Sequence, residues 1–409
     1  MQHAYHRAYL FIGLQLLLVS SQPFDLINKE YIDYSWLEIG FKRVEALNAV
    51  SWTTVSTSTP LPIDKAVAFI SIPDVADIVQ SSWYPENYGV QLIPPIVAKV
   101  RERPKQNEDG TYSFDFKLVF PNDSYCSKEW FVPQTPPTPV YVDVSWVVCP
   151  EGAYNIISNT TNEFFNTNFV IGSGNITRAS ADPEVSNSNG NAIQLLYPAG
   201  CTEPEELCTV NENAGSIQQL QTSVNTVDNG RDLFLSVRAW QVKVRSIWFV
   251  LVPHDSSDPS YFVIDTPETV AYVVFPTETS VVCLEGFAFE TRTFTNVTHH
   301  EIPLDFIHQP YDTPPGVFGM IGSAFSLVDS TTLSVFDRTV NNAVFVTKED
   351  QCVSEQTKHT TPEIVHVLII GDYSEGIPTL QCGAKINREN TSAPTASPTR
   401  ECFEVYVTH

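Results

Sequence analysis

Positive charge is scarce in this chain. Its 409 residues carry 23 Lys and Arg against 47 Asp and Glu, a formal net charge of −24. A surface that acidic repels phosphate backbones and anionic lipid headgroups, so neither a nucleic-acid partner nor peripheral membrane docking is expected. Long apolar runs are also scarce. One runs from Ala8 to Val19 and is too short to span a bilayer comfortably; no later stretch is long and apolar enough to cross one, so the mature chain is expected to carry no transmembrane segment. Helical spacing with caps is missing, and the 29 prolines, mostly between apolar runs, argue against long helices. No Gly-x-Ser-x-Gly elbow, phosphate loop, dinucleotide fingerprint or His-Glu-x-x-His occurs. No carboxylate pair stands out as acid and base. The chain is therefore not expected to be an enzyme or to hold a cofactor. Without a Cys-x2-Cys pair, a zinc site is not expected either.

What is present points to export. His3, His6 and Arg7 precede the apolar run, and Val19-Ser20-Ser21 offers small residues for cleavage before Gln22. Residues 1–21 thus read as a signal peptide. Eight cysteines lie beyond it, an even number compatible with four bridges and no free thiol. Cys201 and Cys208 are close enough to close a small loop. Cys126 with Cys149, and Cys352 with Cys382, fall at matching places, which leaves Cys283 and Cys402; the connectivity stays open. Sequons at Asn122, Asn159, Asn175, Asn296 and Asn390 favour a secreted or cell-surface glycoprotein.

One phrase recurs three times: Thr138-Pro139 to Trp146, Thr266-Pro267 to Val274, and Thr361-Pro362 to Ile369. After each Thr, the fourth, sixth and eighth residues are large and apolar. Proline stops pairing on one side and period-two apolarity buries one face, so each phrase reads as one strand of a repeated β module. A second echo, Val-Val-Cys-x-Glu-Gly, occurs at Cys149 and at Cys283. Thr111 to Phe120 alternates, with Tyr112, Phe114, Phe116, Leu118 and Phe120 on one face. Val142, Val144 and Trp146 point inward from the next strand. Val242 to Val252 reads as the neighbour of the Leu233–Val237 strand, and Asn229-Gly230 suits the turn ahead of it. The expected fold is all-β: tandem antiparallel β-sandwich units stabilised by disulfides. The units span residues 22–152, 153–286 and 287–386, and residues 387–409 form a tail rich in Ser, Thr and Pro.

Val227-Asp228-Asn229-Gly230-Arg231-Asp232-Leu233-Phe234-Leu235-Ser236-Val237 resembles the middle of an H-type lectin domain. The Thr269–Phe275 strand, the Val142–Val148 strand with its Ser-Trp, and Thr313-Pro314-Pro315-Gly316-Val317-Phe318 are similar to other strands of that family. The resemblance implies antiparallel β-sandwiches, sugar binding with a preference for galactose-type residues, and trimeric assembly. It also implies a grip made of a loop acid, a strand Arg and late aromatics; Asp228, Arg231 or Arg238, and Trp240 are the nearest matches, all in the second unit.

The residues themselves say something similar. An indole beside a guanidinium suits a sugar, whose C–H face stacks while its hydroxyls take hydrogen bonds. Arg238 and Trp240 share a face in a regular strand; the rival reading is a second buried face or a subunit contact. His299-His300-Glu301 with His308 reads as an exposed loop rather than a metal cluster, and Asp228 to Asp232 as a hairpin turn rather than a calcium loop. The expected function is carbohydrate binding in adhesion or recognition, with glycans or glycoproteins as partners and homo-oligomers as a further possibility. The alternative is an extracellular scaffold of β modules that binds no sugar.

Overall fold

The computed structural model describes residues 32–34, 37–45, 51–61, 65–75, 96–119, 141–160, 163–176, 191–194, 197–198, 214–221, 234–243, 246–253, 268–276, 280–284, 287–307, 309–323, 331–349, 359–372, 385–389 and 391–392. These residues form an all-β, sandwich-like fold with no helix.

The first set of strands is β1 (Ile32–Tyr34), β2 (Leu37–Glu45), β3 (Thr53–Ser56), β4 (Ala66–Ile70), β5 (Val97–Val100), β6 (Lys105–Gln106), β7 (Tyr112–Val119) and β8 (Tyr141–Pro150). Alternation along β7 buries Tyr112, Phe114, Phe116 and Leu118 and turns Ser113 and Asp115 outward. β8 buries Val142, Val144, Trp146 and Val148 in the same way. One sheet runs β1-β2-β8-β4; the facing strands run β5-β7-β3. The two inner faces share one apolar core, in which Phe114 meets Trp146 edge-on with ring centroids 5.9 Å apart. Each large side chain withdrawn from water in this way contributes about 1.5–3 kcal/mol.

The second set is β9 (Gly152–Thr160), β10 (Glu163–Ile176), β11 (Asn191–Gln194), β12 (Tyr197–Pro198), β13 (Ala214–Gln221), β14 (Phe234–Lys243), β15 (Ser246–Pro253) and β16 (Glu268–Pro276). β14 runs through Lys243 and β15 begins at Ser246, so Val242 belongs to the first strand of this hairpin and not to its neighbour. The third set is β17 (Ser280–Leu284), β18 (Phe287–Val297), β19 (Ile302–Asp305), β20 (Gly316–Ile321), β21 (Thr331–Phe336), β22 (Asn342–Glu349) and β23 (Glu363–Asp372). Val365, Val367 and Ile369 of β23 share a core with Leu333, Val335, Ala343 and Phe345 of the facing strands.

Strand neighbours recur. The runs β1-β2-β8-β4, β9-β10-β16-β13 and β17-β18-β23-β20 have one order, as do β5-β7-β3, β14-β15-β11 and β21-β22-β19. Each Thr-Pro phrase leads into a central strand: β8, β16 or β23. Val142, Val270 and Val365 are all fully buried. The register nevertheless differs by two residues. Buried Glu38 on β2 accepts from Ser58 N at 2.6 Å, and buried Glu290 on β18 accepts from Ile307 N at 2.7 Å. Each donor lies two residues past the following strand. Glu38 faces Val148, the tenth residue after its Thr; Glu290 faces Ile369, the eighth. A shift of two keeps every side chain on its face, which is why the apolar pattern survives it. Burial raises the Glu38 pKa, and the Ser58 and Thr59 amides pull against that rise.

The Cys echo does not recur in space: Cys149 lies on β8, whereas Cys283 lies on β17, a hairpin partner of β18. β17 thereby pairs across the boundary expected after Gly286. Cys149 also corrects the bridge expected with Cys126. It is a free thiol, buried on β8 opposite Val67, and burial pushes its pKa far up. With Cys149 free, the other seven of the eight cysteines can form at most three bridges within a chain. Alkylation of the native protein is expected to spare Cys149, with labelling only after denaturation. Peptide mass mapping of the two states checks this.

The sets are joined by pairing. β13 meets β5 in parallel at Gln221↔Val100, which makes a nine-stranded sheet. Past β4, the chain inserts between the first and third sets. Ser71 N donates to Ser145 O at 2.8 Å, Ile72 N to Val317 O at 2.8 Å, and Val75 N to Val335 O at 3.0 Å. Phe336 and Val346 of the third set complete the first core. Arg338 closes the seam, with Nε 3.0 Å from Asp74 Oδ2 and Nη1 donating to Pro315 O at 2.9 Å. β24 (Lys385–Glu389) pairs β9, and β25 (Thr391–Ser392) pairs β12, so the start of the expected tail is strand.

Candidate functional site

The face of β3, β5, β6 and β7 turned away from the first apolar core carries a regular array, in which Trp52 is partly exposed while Lys99 and Lys117 are buried. Register places Trp52, Lys117 and Lys99 in one row. Thr54, Asp115 and Arg101 form the next, and Ser56, Ser113 and Lys105 the third. Outward positions on a strand recur every second residue, so residues far apart in sequence stand side by side.

Asp115 organises the middle row. Thr54 Oγ1 donates to its Oδ1 at 2.6 Å, and Arg101 Nη1 donates to Oδ2 at 3.4 Å. The Arg101 amide also donates to Asp115 O at 2.9 Å. Trp52, partly exposed, lies against both neighbouring cations. Lys117 Nζ is 4.8 Å from the ring centroid and Arg101 Cζ is 5.5 Å away. Such contacts contribute about 0.5–2 kcal/mol each and hold the indole in one orientation. The result is a fixed aromatic beside a carboxylate, a hydroxyl and a guanidinium, which together offer donors and acceptors to a polyhydroxylated molecule.

This trio of acid, arginine and tryptophan is the type sought in the second unit, but here three separate strands of the first set assemble it. No local motif marks it: Trp52, Arg101 and Asp115 become neighbours only through pairing. In the second set, Arg238 lies on β14 opposite Val250. Trp240 is the extra residue of a bulge between Ala239 and Gln241. Alternation does not carry through a bulge, so strand period alone does not place Arg238 and Trp240 on one face. Asp228 and Arg231 lie outside the described residues.

Other singled-out residues are placed as follows. Asn296 is exposed, at a bulge in β18 with φ of 59°. Asn159 sits on β9 opposite Phe164, and Asn175 on β10 opposite Thr269. Asn122, Asn390, His308 and Cys126, Cys201, Cys208, Cys352, Cys382 and Cys402 lie outside the described residues. Gly316 to Phe318 opens β20, the third strand in the order of its sheet from β18. The His299 and His300 rings lie tilted at 36° with centroids 4.2 Å apart, and the His299 ring bonds His359 O at 2.9 Å. Among the described residues no group of His, Cys, Asp and Glu is arranged to hold a metal ion.

A second polar cluster is buried. Thr331 Oγ1 is 3.1 Å from His359 Nδ1, His359 Nε2 is 3.5 Å from Glu363 Oε1, and Ser323 bonds the other Glu363 oxygen. This is a hydroxyl, imidazole and carboxylate in series. Thr331, His359 and Glu363 are each 0% exposed, so none reaches a substrate in this conformation. The cluster ties the end of β20 to the starts of β21 and β23. Nearby, burial pushes His366 down to about 4 and Lys348 down to about 8, the latter opposed by Glu301.

No family model matches the chain, and neither a curated protein nor a solved structure gives a significant match.

Proposed function

We propose that this chain is an exported carbohydrate-binding protein of three tandem β-sandwich units, and that its first unit contacts sugar through the Trp52 face. The observation that carries the reading is the array itself: an oriented, partly exposed indole beside Asp115, Thr54 and Arg101. The recurring strand order supports three units, the leader and sequons support export, and the H-type lectin resemblance supports sugar as the ligand. Stacking on an aromatic with a few hydroxyl contacts gives weak single sites, since each hydroxyl exchanges water for protein with little net gain. Several copies raise the apparent affinity without new contacts.

A glycan array probed with the secreted chain tests this. Trp52→Ala is expected to weaken binding about tenfold, the loss of roughly 1.4 kcal/mol of ring contact. Loss in Trp240→Ala with Trp52→Ala unchanged would move the site to the second unit. A second reading, a scaffold without sugar binding, is favoured by the seam between the first and third sets, which suits a rigid structural element. Self-association with an empty array supports that reading.

A further inference from the structure

In the third set, β17 pairs β18 from Phe287 to Glu290, and β23 pairs it on the other side as far as Val297. Among the described residues no strand covers the β17 side of β18 from Thr293 to Asn296. Phe294 turns inward, its ring centroid 4.9 Å from that of Phe345, while Thr295 and Asn296 are exposed. These four residues include neither a charge nor a proline, the usual devices that keep a sheet edge from pairing with another chain. The stretch ends in the bulge between Phe294 and Val297, where Asn296 takes a left-handed φ of 59°, a conformation that asparagine tolerates. Asn296-Val297-Thr298 is also a sequon. Asn159 and Asn175, by contrast, face Phe164 and Thr269 within the ladders of the nine-stranded sheet.

We propose that Asn296 carries an N-linked glycan, which keeps the end of β18 from pairing with a second copy of the chain; the inference rests on the reading that the chain is exported. The donor is an oligosaccharide joined to a lipid diphosphate. Asn296 Nδ2 attacks the anomeric carbon of that sugar. A carbon–nitrogen bond forms and the carbon–oxygen bond to the diphosphate breaks. The lipid diphosphate leaves with the electron pair, and one amide proton is released. Thr298 supplies the hydroxyl that the sequon requires. Val297, between them, is 0% exposed and sits opposite Glu363 on β23. A transferase cannot draw these three residues into its own site once β18 and β23 have paired, so the transfer precedes folding of the third set. In the folded chain the bulge leaves Asn296 exposed, and the glycan stands beside the four-residue edge. It is bulky and solvated, so a second chain cannot lie along that edge without displacing it.

The test expresses the full chain with its leader in a eukaryotic secretory cell and maps glycopeptides of the secreted protein by mass spectrometry. The peptide holding Asn296 is expected to carry a glycan. Thr298→Ala should remove that glycan while leaving Asn296 in its left-handed conformation, and Thr298→Ser should keep it. Light scattering over a concentration series then compares the three proteins. Thr298→Ala is expected to self-associate at lower concentration than the parent, with Thr298→Ser behaving as the parent does. Thermal melts of dilute samples separate this from misfolding: Thr298→Ala melting with the parent assigns the association to the bare edge, and a collapsed melt assigns it to lost packing and overturns the shielding role. A glycosylated Asn296 whose loss leaves association unchanged also overturns that role. A secreted chain with Asn296 bare overturns the whole inference and leaves export standing. A chain retained in the cytosol overturns both.

Discussion

Arg338→Ala is expected to destabilise the folded chain by about 3–5 kcal/mol. The Arg338 and Asp74 side chains are 5% and 10% exposed, so neither charge is repaid by water once its partner is gone. The guanidinium also donates to Pro315 O at 2.9 Å and to Ser145 Oγ at 3.3 Å, and lies 5.9 Å from the Phe41 ring. Removing it takes a donor from both a buried carboxylate and a carbonyl at the seam between the first and third sets. Adding Asp74→Ala should recover part of the loss, because the buried charge goes with it. Urea denaturation of the parent, the single variant and the double variant measures both terms. A loss under about 1 kcal/mol in the single variant would mean that the seam is wet and the two sets stand alone.

The other large effect is expected at Trp146. The indole is 1% exposed at the centre of the first core, and its truncation to alanine should cost about 3–5 kcal/mol. Its place depends on Gly40, the residue opposite it on β2. A Cβ at position 40 would stand 2.1 Å from Trp146 Cζ2. Gly40→Ala is therefore expected to cost about 1–3 kcal/mol, since the ring must leave its rotamer or push on its neighbours. Trp146→Leu in the Gly40→Ala background should remove that added penalty. Denaturation midpoints of the three variants decide it, and a neutral Gly40→Ala would falsify the packing described.

The second sheet repeats the device: Gly172 faces Tyr272, and a Cβ at position 172 would stand only 2.5 Å from the Tyr272 hydroxyl. Neither glycine is conspicuous in sequence, because the reason for each sits on another strand about 100 residues away in the chain. The aromatic is legible as an apolar position; the need for a missing side chain opposite it is not.

Several features were legible locally because a strand's period is a property of the strand alone. The alternation of Tyr112 to Leu118 and of Val142 to Trp146 is the burial found. The Thr-Pro phrases mark strands that become central, since apolar residues in period two must be covered. Where alternation is interrupted, period two no longer says which residues share a face. The bulge at Trp240 shifts register by one, and no residue type there announces it.

The chain by itself thus determines an all-β class, the inner faces of its longest strands and a strongly acidic balance, all of which follow from residue type and near-neighbour spacing. Tertiary structure decides the rest. It brings Trp52, Arg101 and Asp115 into one array, passes Ser71 to Val75 between two sets of strands, sets Arg338 against Asp74, and leaves Cys149 a free thiol in a core. The physical reason is that sheet pairing and ion pairing join residues by distance in space, at energies that depend on burial, and neither quantity is written in local sequence.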